Sequence, residues 1–257
     1  MENRPWVIGL QAGIFAGWIG ALAVSFNSPS SFAVSNPSFE GRAVPSAVAS
    51  HMVGFRILKQ RGKAVTCSGV LLASDIAITA KHCMVDVVAA ELVFGTDLDA
   101  PVRTAVVKRV VPAGHPGVDF SFVTFDGGLP KGFRPVEILP VNSTLPLGDS
   151  SIIAGYGRTA TRNHDNGILR VATLTVIDNE DGFFVGLGHV NGANACEGDS
   201  GGAVFAKRKR KIYYWGTISA KPTDDRGLPC GDHTLVMDMH TDGVRQYLKE
   251  LSAYSRR

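Results

Sequence analysis

An all-β domain, a sandwich or a barrel, is the fold class this sequence predicts, with one helix at its C-terminal end as the exception. Two observations predict it. From Met52 onward, short β-branched or aromatic runs recur and are broken by Gly, Pro, Asn and Asp, which is strand chemistry punctuated by turn chemistry. The periodicity of an amphipathic helix appears convincingly in a single segment, near the C terminus.

Taken in order, the first 38 residues read as an export segment with a short pro-segment, ahead of a domain over 39–257. Trp6 to Phe26 run through WVIGLQAGIFAGWIGALAVSF, with Gln11 as the most polar member. A signal-peptide core of about 7–15 residues and a spanning helix of roughly 20 both fit, and either carries the C-terminal part across a membrane. Small residues at Ala33 to Ser35 have the spacing a signal peptidase needs and favour cleavage over a retained anchor. Arg4 and the amino terminus are the only positive charges before Arg42, which leaves that end inside.

The strand-like runs are Val65 to Ala73, Ile76 to Thr79, Val106 to Val111, Phe120 to Phe125, Ser151 to Ala154, Leu169 to Ile177, Phe183 to Leu187 and Ile212 to Ser219. A Pro- and Gly-rich stretch at Pro130 to Pro146 reads as a connector between two β halves. The basic run Lys207 to Lys211, set between AVFA and IYYWGTIS, reads as a solvated hairpin loop, with a surface for polyanions as the alternative. Val244, Tyr247, Leu248 and Leu251 share one helical face, with Asp242 in the first turn and basic residues beyond the last.

A chain of 257 residues accommodates one large domain or two small ones. Its formal charge of +3 is too small for a nucleic-acid binder. Four cysteines in an exported chain are expected to be paired, and three pairings are open. No cofactor is expected; Glu91, Asp97 and Asp99 read as acidic surface turns rather than a calcium loop, given the ligand count calcium requires.

The chemistry concentrates in CEGDSGG, Cys196 to Gly202, where glycines flank a serine. Glycine is used where the backbone bends sharply or approaches a ligand closely, so Ser200 is expected on a turn. A serine hydroxyl becomes a useful nucleophile only beside a base that a third group holds in the right tautomer. TAKHC places His82 at a strand end beside a cysteine, and GVDFSFVTF places Asp119 at the start of an apolar strand, where a carboxylate is costly unless hydrogen-bonded.

Taken together, TAKHC, DFSF and GDSGG in the order His, Asp, Ser resemble the three signature blocks of the chymotrypsin-like (trypsin-like) serine proteases. GYGRT at Gly155 to Thr159 resembles that family's Gly-aromatic-Gly element, and GTIS ending at Ser219 resembles the strand flanking its substrate. The resemblance covers Phe39 to Tyr254 and implies two six-stranded antiparallel β-barrels with a C-terminal α-helix. It implies a secreted serine endopeptidase, made as a zymogen, with His82 as base, Asp119 as orienting acid, Ser200 as nucleophile, the N–H groups of Gly198 and Ser200 as oxyanion hole, and Asp199 as a structural acid. The implied disulfides are Cys67 with Cys83 and Cys196 with Cys230, and the implied pocket residues are Asn194, Ser219 and Lys221. The implied partner is a polypeptide substrate, with no nucleic acid, membrane contact only through the N-terminal apolar segment, and a monomeric state.

Two rivals are weighed. GDSGG also fits G-x-S-x-G, the nucleophile elbow of α/β-hydrolase esterases, but an elbow needs a helix after the serine, and GGAVFA followed by IYYWGTIS is strand chemistry. A binding-only relative is expected to have lost a triad member, and all three are present.

The chain departs from the family at two places. Active members begin with a branched apolar residue whose freed amine pairs with the acid before the serine; here Phe39 with Gly41 matches that start best, while a cut after Arg42 exposes Ala43. At the pocket base stands Asn194 rather than an acid or a serine, and Lys221 stands where many relatives have glycine. A buried cationic side chain needs an opposing charge. Uncharged residues of small to medium size are therefore expected before the scissile bond, with acidic or polar ones as the alternative and Asp232 as the residue that could restore a cationic preference.

Overall fold

The structure, a computed structural model, describes residues 44–114, 117–160, 163–179, 184–189, 193–220, 230, 233–240, 244 and 246–247, together with the backbone of 32–33. Twelve strands build two closed barrels. The first comprises β1 (Met52–Lys59), β2 (Ala64–Leu71), β3 (Ile76–Thr79), β4 (Val87–Phe94), β5 (Arg103–Pro112) and β6 (Ser121–Phe125), in the order β1-β2-β3-β6-β5-β4. The second comprises β7 (Ser150–Gly155), β8 (Arg170–Asp178), β9 (Phe184–His189), β10 (Ala203–Arg208), β11 (Lys211–Ala220) and β12 (His233–Asp238), in the order β9-β12-β11-β10-β7-β8. Every pairing within the barrels is antiparallel. Closure leaves neither sheet with an unpaired edge.

Alternation along the strands fills each interior. Val53, Phe55, Ile57, Leu71, Leu92, Phe94 and Val123 pack inside the first barrel, and Ile153, Leu174, Val176, Leu187, Val204, Trp215 and Val236 inside the second. A third cluster, with Val70, Ile78, Phe120, Phe122, Tyr156, Phe205 and Tyr214, includes side chains of both barrels and joins them. Tyr156 is fully buried there, and its hydroxyl donates to Gly95 O at 2.7 Å, so the polar end of the ring is satisfied across the junction. Burial pushes that phenol far above its ordinary pKa, which keeps it a donor.

Residues 126–149 cross from one barrel to the other, touching the second through a parallel bridge between Ile138 and Tyr214. The basic run forms a tight hairpin in which Arg208 faces Lys211. Arg208 meets Asp149 at 3.2 Å and Lys211 meets Glu137 at 3.0 Å. The backbone of Phe32–Ala33 pairs in parallel with Ala193–Asn194.

The expected fold class needs one correction: no C-terminal α-helix is part of the described fold. The α-helix in the described residues is the four-residue Ser46–Ala49. Near the C terminus Val244, Gln246 and Tyr247 are helical, and the rest of the expected segment lies outside the described residues. Of the residues expected on that helical face, Tyr247 is anchored to the first barrel. Tyr247 packs against Phe120 and Phe122 with ring centroids 6.1 and 5.6 Å apart. Its hydroxyl donates to Pro112 O at 2.9 Å. An isolated segment of about ten residues is marginal as a helix on propensity alone, so apolar periodicity does not by itself establish a helix there. Among the described residues no helix is long and apolar enough to cross a membrane; the apolar stretch 6–26 lies outside them, as do Phe39 and Ala43.

Candidate active site

His82 sits on a single 3-10 turn, Lys81–Met84, that follows β3 directly. The turn is pinned by the disulfide between Cys83 and Cys67 of β2 and by Lys59, whose Nζ donates to His82 O at 2.8 Å. Asp119 precedes β6 and accepts from both N–H groups of His82: the backbone N–H donates to Oδ1 at 2.9 Å and Nδ1–H to Oδ2 at 2.8 Å. The Ser219 hydroxyl adds a donor to Oδ2 at 2.5 Å. Burial alone would raise the Asp119 pKa, but hydrogen bonds from His82 and Ser219 and the attraction of the imidazole outweigh it and hold the carboxyl below its ordinary value. A carboxylate only accepts, so it fixes the proton on Nδ1 and leaves the Nε2 lone pair facing outward.

Ser200 belongs to the second barrel's loop but is tied to the first. Ser68 N–H donates to Ser200 O at 2.8 Å, and Cys83 Sγ, next in sequence to His82, lies 3.8 Å from the same oxygen. Gly198 has φ +97°, and a Cβ on it would lie 2.9 Å from Gly157 Cα, so the turn demands glycine twice over. Asp199 is fully buried. Its Oδ1 accepts from Gly157 N–H and its Oδ2 from Cys196 N–H, each at 2.8 Å. The glycines of GYG make room for it: a Cβ on Gly155 or Gly157 would lie 2.3 Å or 2.4 Å from its carboxylate atoms.

Asn194 is 2% exposed, and its Oδ1 accepts from Ala195 N–H at 2.9 Å and from the Thr234 hydroxyl. Cys196 and Cys230 are disulfide-bonded, the second of the pairings the resemblance implies. Ser219, expected at the pocket, donates its hydroxyl to Asp119. Lys221 and Asp232 lie outside the described residues. Among the described residues no group of three His, Cys, Asp or Glu is placed to hold a metal, and Glu91 is paired with Arg56 at 2.8 Å.

Sequence reasoning missed Ser68 and Thr234. Buried Ser68 donates from Oγ to Gly198 O at 2.7 Å and accepts there from Tyr156 N–H at 2.9 Å, joining the GYG and GDSGG segments. Its position one residue after Cys67 was the available signal. Thr234 lies 40 residues from Asn194 and had none.

A family model described as Trypsin matches residues 39–236. The chain belongs to the trypsin family. Among curated relatives of this trypsin-family chain, the serine protease SP24D of Anopheles gambiae is 31% identical over 192 residues, covering 66% of this chain and 69% of that protein. The vitellin-degrading protease of Bombyx mori is 27% identical over 184 residues, covering 61% and 69%. In fold it is similar to HL collagenase, with a TM-score of 0.66 and 18% identity over 82% of this chain and 96% of that one. Family membership makes the chain a serine protease in type.

Proposed function

We propose that the chain is a secreted endopeptidase that cleaves peptide bonds through a covalent acyl-enzyme. The observation that carries this reading is the geometry of the His82–Asp119 pair: Nδ1 is held by a carboxylate at 2.8 Å that Ser219 also engages, which leaves Nε2 as a base. Ser200 Oγ attacks the scissile carbonyl carbon while its proton passes to Nε2. The carbonyl oxygen becomes an oxyanion held by the N–H groups of Gly198 and Ser200, donors whose strength is realised mainly in the tetrahedral state. Collapse expels the amine, which takes the proton from His82 and leaves an ester on Ser200. Water, deprotonated by the same nitrogen, then hydrolyses that ester. Asp119 stays ionised throughout.

Treating the mature protein with a fluorophosphonate and mapping the adduct is expected to place it on Ser200 and to find none in Ser200→Ala. An adduct retained by that variant, or absent from the parent chain, overturns the reading and favours a binding-only protein.

In the same reading Asn194 and Thr234 close the base of the specificity pocket. Neither carries charge, and the Thr234 hydroxyl is turned onto Asn194 Oδ1, so these two residues offer a cation only dipoles. An unpaired buried ion costs several kcal/mol. Cleavage of a peptide library is expected to favour small or medium uncharged residues before the cut, and Asn194→Asp to raise cleavage after Arg and Lys. A parent profile dominated by Arg or Lys overturns the assignment.

A further inference from the structure

We propose that Arg158 and Glu197 form a two-point lock that keeps the Glu197–Gly198 peptide turned with its N–H toward the substrate, making Arg158 a positioning residue for the oxyanion donor. This rests on the acyl-enzyme reaction proposed above.

A trans peptide is planar, and its C=O and N–H point in opposite directions, so fixing one fixes the other. Arg158 N–H donates to Glu197 O at 3.0 Å. That bond commits the carbonyl to the side of the GYG segment and turns the Gly198 N–H to the opposite side. The next carbonyl, of Gly198, is held in turn by Ser68 Oγ at 2.7 Å. The same two residues meet again through their side chains, where the Arg158 guanidinium pairs with the Glu197 carboxylate. The arginine side chain is 17% exposed and the glutamate 47%, so the pair is partly withdrawn from water on the arginine side. A lone backbone bond at a loop surface exchanges readily with water; an ion pair between the same residues opposes the rotation that exchange would allow.

Arg158 stands on a rigid support. Gly157 N–H is bound to Asp199 at 2.8 Å, and Gly157 O accepts from Arg170 Nη1 at 2.8 Å. Thr159 donates twice to Asp165, at 2.9 Å from its N–H and 2.6 Å from its hydroxyl, and Asp165 pairs with Arg170 at 3.2 Å. The anchored side of the lock is therefore the arginine, and the side it restrains is the peptide that carries the donor.

The test measures kcat, KM and thermal midpoint for the parent, Arg158→Ala, Glu197→Gln, the double variant and the charge swap Arg158→Glu with Glu197→Arg. Removing an oxyanion donor outright costs about a hundredfold or more in kcat, so loosening one is expected to cost about tenfold in each single variant, with KM changed by less than about twofold. Because both changes break one lock, the double variant is expected to lose no more than the worse single, and the swap to recover at least about threefold over it. Losses that multiply in the double, a loss carried by KM, or a swap no better than the singles overturns the lock. An inactive parent overturns the proposed reaction and the lock with it; an active parent with multiplying losses overturns the lock alone.

Discussion

Asp119→Asn is expected to lower kcat about ten-thousand-fold, on the order of 5 kcal/mol in barrier height. The carboxylate now accepts three hydrogen bonds, two from His82 and one from Ser219. An asparagine amide turned toward the imidazole would donate to Nδ1, move the ring proton to Nε2 and leave His82 without a lone pair for the serine proton. Steady-state kinetics on any cleaved peptide measures the loss, and a decrease under about tenfold would remove the His82–Asp119 pair from the reaction. The variant also separates a stability effect. With its folded-state pKa held low, Asp119 stabilises the fold fully once an ordinary aspartate has lost its proton, and that contribution disappears as pH falls through the lowered value. Acid titration of the thermal midpoint should show this component in the parent and lack it in the variant.

Gly201→Ala is expected to destabilise the protein by about 4–5 kcal/mol and lower its thermal midpoint on the order of 10 °C. Gly201 has φ +84°, and a methyl group there would lie 2.3 Å from Ser68 O and 2.8 Å from Ala80 N, backbone atoms of the first barrel. Those atoms have no rotamer through which to retreat. Gly62→Ala is the control for the dihedral alone, because Gly62 has φ +73° and nothing within 4 Å of its added methyl. It should cost about 1 kcal/mol. Thermal melts of both variants distinguish the effects; equal losses would mean that the junction yields.

Strands were legible where alternation and turn residues were both strong. Ile76–Thr79 was read at its observed limits, and the run read as Ser151 to Ala154 lies within Ser150–Gly155. β1 and β4 were not singled out, although Phe55, Ile57, Leu92 and Phe94 fill the first barrel, because Arg56 and Glu91 face outward among small apolar residues and blur the contrast between faces. The site's local parts, a serine between glycines and a histidine beside a cysteine, could be read because each bends or pins its own segment. Thr234 and the Arg158–Glu197 pair could not. They become neighbours only after the second barrel closes, and a threonine or an arginine at those positions carries no pattern of its own.

In the proposed reaction, the division of the triad between barrels sets a schedule for the molecule. His82 and Asp119 are carried by the first half of the chain, and Ser200 reaches them through Ser68 only when the second half has docked. Large chains fold region by region, the N-terminal part first during synthesis. A ribosome-bound chain with only its first barrel formed holds a polarised imidazole and no nucleophile, so it is chemically silent toward the proteins around it. Under the proposed reaction, completion of the fold is thus what first arms the chain.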